Sequence, residues 1–408
     1  MSHKIYPIGI QNFEKIRNDG YFYIDKTALM YQMVKTGSYY FLSRPRRFGK
    51  SLLISTLEAY FQGKKELFTG LMVEKLEKDW IEHPILHLDL NIEKYDALES
   101  LDNILDKSLT AWEKLYGAEP SERSFSLRFA GIIERACQKT GQRVVILVDE
   151  YDKPMLQAIG NEDLQKQFRD TLKPFYGALK TMDGCIKFAL LTGVTKFGKV
   201  SVFSDLNNLK DISMDERFVD ICGITEKEIH DNLEEELHQL AEKQKMSYEQ
   251  VCAELKECYD GYHFMEHTIG IYNPFSLLNT FDKMKFGSYW FETGTPTYLV
   301  NLLKKHHYDL ERMAHEETDE QVLNSIDSES SNPIPVIYQS GYLTIKGYDE
   351  EFGIYRLGFP NREVEEGFVR FLLPYYANVN KVESPFEIQK FVREVRSGDY
   401  KSFFRRLQ

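Results

Sequence analysis

No stretch of the chain approaches eighteen uninterrupted apolar residues, and the opening MSHKIYPIGI has no positively charged segment followed by a long apolar run. Neither a membrane-spanning helix nor a secretory leader is expected. Cysteine is scarce, with five in 408 residues, at 137, 185, 222, 252 and 258, and no CxxC spacing. That pattern supports neither a zinc framework nor a disulfide scaffold, so the expectation is reduced thiols in a cytoplasmic protein. Positive charge is in deficit. A formal net charge of -12 excludes a wholly basic nucleic-acid module and leaves room only for a local positive patch. The acid run from Glu234 to Glu236 reads as a solvated helix face. Nucleophile elbows, internal repeats and low-complexity tracts are also missing. What the chain has in quantity is apolar and aromatic material, 42% and 13%, with 25 Tyr and 27 Phe. That suffices for large packed cores in two or three domains.

YYFLS at 39–43 predicts a short buried strand, and KSLLISTLEAYF at 50–61 continues it as a helix. ILHLDL at 85–90 predicts a second strand. The following helix takes Asp96 as cap with Glu99 three positions on, and Leu98, Leu101, Leu105, Leu109, Trp112 and Tyr116 form its buried stripe. A helix over about 124–139 leads through Gly141 into the strand VVILV at 144–148. DLQKQFRDTLKPFYGALK then separates this strand from KFALLTG at 187–193. Such alternation predicts an α/β fold, a P-loop-type three-layer core with a mainly parallel sheet, because parallel neighbours need helical crossovers. Ligands of such sheets bind at the carboxyl ends of strands, where Ser43, Asp149 and Thr192 are expected to converge.

Beyond about residue 222 the pattern turns helical. Thr225 and Glu228 form a capping box, and Ile229, Leu233, Leu237 and Leu240 an inward stripe. The domain reading is a core over 1–222, a helical lid over 223–315 and a partly ordered connector over 316–335. A winged-helix-like module and the start of a truncated C-terminal region fill 336–408. Its hairpin is expected from GYLTIKG at 341–347 and GIYRLGFP at 353–360, around YDEEF.

SRPRRFGKS at 43–51 lies between the first strand and its helix. Backbone N–H groups and the helix dipole at such a junction favour a bound phosphate. Lys50 can reach β and γ phosphates, and Ser51 offers a hydroxyl to Mg2+. The whole run Arg44, Pro45, Arg46, Arg47, Phe48, Gly49, Lys50, Ser51 and Leu52 is the candidate nucleotide-binding loop. Asp149 and Glu150 end an apolar strand as a Walker B pair does, with Asp149 toward Mg2+ and Glu150 polarising the attacking water. An acidic turn after a core strand is the alternative for this pair. Thr192 would touch γ phosphate or water, or would merely end its strand. The three arginines favour bidentate phosphate contacts, against a purely structural role or contacts to carboxylates or DNA. Arg44 occupies a glycine position of GxxxxGK[ST], and Pro45 restricts it to extended conformations. Asp152 and Lys153 bound the loop before Pro154. His83 and His87 are not expected to ligate a metal jointly across Pro84, and His263 in YDGYHF reads as part of a packed turn.

SRPRRFGKSLL, YFYIDKT at 21–27, VDEYDKP at 148–154, LTGVTKFGKVSVFSDLNNL at 191–209 and IYNPFSLLNTF at 271–281 resemble the bacterial AAA-ATPase-like family often joined to a PD-(D/E)xK nuclease-like domain. YWFETGTPTYLV at 289–300 and YQSGYLTIKGY at 338–348 extend the resemblance over nearly the whole chain. It implies that RPRRFGKS is the family's own phosphate loop, that ATP and Mg2+ are the cofactors, and that the protein is an ATPase serving as a regulatory or switch module. A nucleotide-dependent scaffold or a nucleic-acid-binding accessory protein with negligible turnover is the alternative. The resemblance leaves open a homo-oligomer, a protein partner or nucleic acid, and points to no membrane. No D…ExK constellation follows residue 360, so a short form without nuclease activity is expected. Arg217, Arg356 and Arg362 are the candidates for an arginine that completes a neighbouring site.

Overall fold

A computed structural model describes residues 4–196, 202–203, 206–292, 299, 303, 316–324 and 332–368. Five strands, β1 (Tyr39–Ser43), β2 (Ile85–Asp89), β3 (Val144–Asp149), β4 (Ile186–Gly193) and β5 (Lys210–Asp211), form a sheet in the order β2-β3-β4-β1-β5. Every pairing in it is parallel. β1 and β3 are buried at every residue, the continuous apolar pattern of strands covered on both faces. The two-residue period of the strands divides the core. Tyr40, Leu42, Val145, Leu147 and Leu190 pack on the side of helix α1 (Lys50–Phe61). Phe41, Ile146, Val148, Ala189 and Leu191 face helices α2 (Leu98–Tyr116), α3 (Phe125–Thr140) and α4 (Glu162–Thr181). This is the expected three-layer α/β core.

The strand order positions the site. From β1 the chain crosses to the far edge at β2 and returns through β3 and β4, so β4 separates β1 from β3. Leu42 pairs with Thr192, and Val148 with Leu191. Ser43, Thr192 and Asp149 therefore lie side by side along the carboxyl edge.

One helix start departs from expectation. Asp96 does not cap α2; Ala97 occupies the N-cap without a side-chain bond, because Asp96 pairs with Lys94 instead. Leu98 falls outside the stripe at 44% exposure, whereas Leu101, Leu105, Leu109 and Trp112 are buried as expected. The local capping signal lost to an ion pair one turn upstream.

After the sheet come α5 (Glu226–Gln244), α6 (Tyr248–Tyr259) and α7 (Pro274–Lys283). The Thr225–Glu228 capping box opens α5, and Ile229, Leu233, Leu237 and Leu240 are buried. Tyr6 from the N-terminal segment is buried in the same cluster, with Phe22 packed against it. Strands β6 (Ile224–Thr225) and β7 (Ile271–Tyr272) pair antiparallel at the root of these helices.

The hairpin expected near the end of the described chain is present as β9 (Thr344–Asp349) and β10 (Ile354–Gly358), with Gly353 at φ 66 in its turn. β8 (Glu317–Asp319) adds a third strand beside β10, and Glu320–Asn324 is helical. The segment read as a connector is thus partly built into the sheet. Its period-2 signal is only three residues long, too short to show in the sequence. The rest of that connector, 325–331, and the region 369–408 with the chain end FFRRLQ lie outside the described residues.

Candidate functional site

Residues 44–49 turn the chain from β1 into α1. Gly49 takes the left-handed N-cap position at φ 99, and a side chain there would be strained. Arg47, at φ 66, takes the same region without being glycine. Lys50 begins the helix and is only 4% exposed. Its Nζ donates to Arg44 O at 3.0 Å and Pro45 O at 3.3 Å, and lies 3.4 Å from the Glu150 carboxylate. The lysine therefore bridges the loop and the end of β3.

Asp149 closes β3 in a buried position and accepts a 2.6 Å hydrogen bond from Thr192 Oγ1, which also donates to Val148 O at 3.3 Å. The acid and the threonine expected to converge across β3 and β4 are in direct contact. Glu150 follows at φ 55, a left-handed conformation that turns its side chain out of the strand direction and toward Lys50.

Asp152 carries more than its place before Pro154 suggested. It is fully buried, and accepts from Val194 N (3.2 Å), Thr195 N (2.6 Å) and Thr195 Oγ1 (2.7 Å). Those contacts pin the exit of β4 to the loop after β3. No periodicity marks such a bond between segments some forty residues apart. Burial, then the neighbouring Glu150 charge, pushes the Asp152 carboxyl up to about 7, against the Thr195 donors that pull it down. With an unfolded value near about 4, the folded protein holds the extra proton between the two values. This group's stabilisation is complete below pH ~4 and is lost as pH rises through about 7. In urea unfolding, the wild type is expected to lose stability between pH 4 and 7 relative to Asp152→Asn, which cannot titrate; parallel pH profiles would contradict this.

Three side chains of the loop, those of Arg44, Pro45 and Phe48, turn away from the cleft. The expected phosphate grip by Arg44 is corrected: this residue is 1% exposed and donates to Ser43 O (2.9 Å), Ser213 O (2.8 Å) and Phe218 O (3.1 Å). Its guanidinium lies 4.0 Å from the centre of the Phe264 ring. The backbone carbonyl groups take up both terminal nitrogens of the buried guanidinium, which turns it away from the cleft. Pro45 and Phe48, also expected at the nucleotide, are buried too. Pro45 packs where Gly341 has no side chain, and Phe48 packs edge-on to Tyr262, ring centres 4.8 Å apart. Arg46 and Arg47 are exposed on the cleft wall, Arg47 over the Phe275 ring at 4.9 Å.

The cleft has a volume of about 380 Å3, within the usual range for small-molecule sites. Gly49, Lys50, Ser51, Leu52 and Glu150 line it; the buried Asp149 and Thr192 lie outside its lining. Residues 7–11 and the start of α7 at Pro274 and Phe275 form other walls. An apolar cavity of about 110 Å3 adjoins it, lined by Phe22, Tyr23, Ile24, Leu53, Ile221 and Leu278 among others. Sequence reasoning missed these N-terminal and helical walls. The Asn-Pro helix start at 273–274 was the available signal, with Asn273 capping α7.

The remaining candidates stay apart from the cleft. His83 bonds Arg143 O and His87 pairs with Glu58, and no metal-holding group of His, Cys, Asp and Glu occurs among the described residues. His263 Nδ1 lies 3.0 Å from Thr268 O and its backbone N–H donates to Thr344, as a packed turn requires. Arg217 pairs with Asp215, and Arg362 with Glu254 and Glu257. None of the described helices is long and apolar enough to cross a membrane.

A glycine-capped helix start, a buried lysine and a β3 Asp-Glu pair on a parallel sheet form the framework of a P-loop nucleotide site. The profile of the AAA-ATPase-like family, described as a predicted AAA-ATPase, matches residues 7–203. An Azotobacter chroococcum mcd 1 protein, described as an uncharacterized protein in the vnfD 5' region, is 39% identical over 381 residues, 92% of this chain and 71% of that one. The chain belongs to the AAA-ATPase-like family. Within that family it carries a P-loop ATPase-like, nucleotide-binding function, and its glycine-poor loop is the part that departs from GxxxxGK[ST]. The ORC2 protein of Aeropyrum pernix, in ADPNP-ADP complexes, overlaps 84% of this chain and 91% of its own. Its TM-score is 0.29 and its identity 8%, an overlap too low to carry an inference.

Proposed function

We propose that the cleft binds ATP with Mg2+ and hydrolyses it, and that this AAA-ATPase-like chain acts as a nucleotide-driven regulatory switch in a nuclease-linked system. The observation that carries the reading is Lys50, buried between the loop carbonyls and Glu150 at the open N-terminus of α1. The residues present fit the group. Nothing lies within 4 Å of a Cβ built on Gly49, so the loop leaves free space above the first helical turn, where N–H groups lack helical partners.

In this reading Lys50 would hold the phosphate oxygens, and Ser51 and Asp149 would hold the magnesium ion, which when bound would offset the negative charge of the ATP phosphates. Glu150 orients a water and takes its proton on the carboxylate, while the Thr192 hydroxyl holds Asp149 in place. The adjoining apolar cavity suits the purine ring. The division into core over 1–222, helical lid, connector and winged-helix-like module is part of the proposal, with nucleotide contacts expected from the first two. No nuclease chemistry is assigned to the chain.

Steady-state phosphate release is the test. Glu150→Gln should retain ATP binding within a few-fold and lose turnover by about 10²–10⁴-fold, the usual contribution of a positioned base. Equal turnover in variant and wild type would remove Glu150 from the chemistry. Tight ATP binding by a wild type with no phosphate release would favour a nucleotide-dependent scaffold.

A further inference from the structure

A phosphate-binding loop works through its backbone N–H groups, and an ordinary one relies on glycines to turn them inward. Here residues 44–48 contain none, so something else must set the peptide planes. Within one planar trans peptide, the C=O of a residue and the N–H of the next point in opposite directions. A donor that holds a loop carbonyl from behind therefore turns the next N–H the other way.

Three loop carbonyl groups are held by donors. Lys50 Nζ, on the cleft side, takes Pro45 O at 3.3 Å and so turns the N–H of Arg46 away from the lysine. Gly223 N donates to Phe48 O at 3.0 Å, which orients the N–H of Gly49. Between them, the indole Nε1 of Trp290 donates to Arg46 O at 3.0 Å, which turns the N–H of Arg47 away from the indole. Only this last donor comes from a side chain more than two hundred residues away in sequence.

We propose that Trp290 is a positioning residue for the phosphate loop, tying nucleotide affinity to the helical and C-terminal parts of the chain. The inference rests on the nucleotide reading of the cleft. Trp290 is itself fixed on both sides. Its backbone N–H lies 2.8 Å from a Glu363 carboxylate oxygen and 3.0 Å from Ser276 Oγ, which in turn donates to that carboxylate at 3.0 Å. Glu363 is 5% exposed. Ser276 lies on α7, whose first residues wall the cleft, and the indole packs on Tyr342, ring centres 5.3 Å apart. One residue thus joins the loop, α7 and the C-terminal hairpin region. Coupling of this kind is reciprocal: if the hairpin region shapes the loop, phosphate on the loop stiffens the hairpin region.

Trp290→Phe keeps an aromatic ring against Tyr342 and removes the N–H together with part of the indole. Titrating full-length wild type and variant with a non-hydrolysable ATP analogue and Mg2+ should show binding weakened about five- to tenfold, the low end of typical coupling. KM for ATP should rise with kcat nearly unchanged and thermal midpoint little moved, a split that a merely structural role would not produce. In the wild type alone, hydrogen exchange of residues 334–368 should slow when the analogue saturates the cleft, which keeps the inference testable if the variant does not fold. Equal analogue affinity in the two proteins, or no slowing in the wild type, would overturn the role of Trp290 while leaving the nucleotide site standing. A wild type that binds no analogue would overturn both.

Discussion

Lys50→Ala is expected to lower ATP turnover by about 10²–10³-fold, the usual loss when one preorganised donor to transition-state charge is removed. The loss should appear in kcat/KM and, unlike that of Glu150→Gln, should include weaker nucleotide binding. Lys50 is more than a phosphate contact in this loop. Its ammonium is shared among Arg44 O, Pro45 O and Glu150, so alanine leaves two carbonyl groups without their donor and one acid without its counter-charge. Lys50→Met, which fills similar space without charge, separates the packing contribution from the electrostatic one. Isothermal titration with ATP and a phosphate-release assay check both variants, and turnover within threefold of wild type in either would remove Lys50 from the site.

The second large effect concerns stability. Arg44→Ala should cost about 3–5 kcal/mol in urea unfolding at neutral pH, the joint effect of several buried acceptors left unpaired and the cavity left by a long side chain. The guanidinium satisfies carbonyl oxygens of β1, of Ser213 beyond β5 and of Phe218, and it stacks on Phe264. Alanine leaves those buried oxygens without their donor and opens a hole the size of a long side chain. Burial lowers the guanidinium pKa from its ordinary value, yet arginine stays charged near neutral pH. Arg44→Lys should recover only a small part of the loss, because one ammonium cannot span the three carbonyl positions that a planar fork reaches. A loss under 1 kcal/mol for alanine would mean that the contacts behind the loop are dispensable. Because Arg44 faces away from the cleft, nucleotide affinity of the folded Arg44→Lys protein should change less than its stability.

The sequence by itself determined the parallel α/β core, since VVILV and YYFLS lack the alternation of half-exposed strands and each leads toward a helix. It also pointed to the lysine, serine and acid set of the proposed site, because GKS and DE sit where strand runs end, and the strand period plus chain direction places them at one edge of the sheet. The capping box at Thr225 and the hairpin at 344–358 are local in the same sense, each set by bonds within a few residues. Tertiary structure alone decided where the side chains of RPRRF go. A run of arginines beside a phosphate motif reads as a grip, because sequence shows charge but not the direction of a side chain off a turn. Arg44 was claimed instead by carbonyls of residues 213 and 218, Phe48 by Tyr262, and Asp152 by Thr195. Those partners are brought close by packing across layers, which has no period along the chain. The Trp290 contact to Arg46 is of the same kind. The residue types of the proposed phosphate site are therefore local information, whereas the shape of its loop is set by the rest of the molecule.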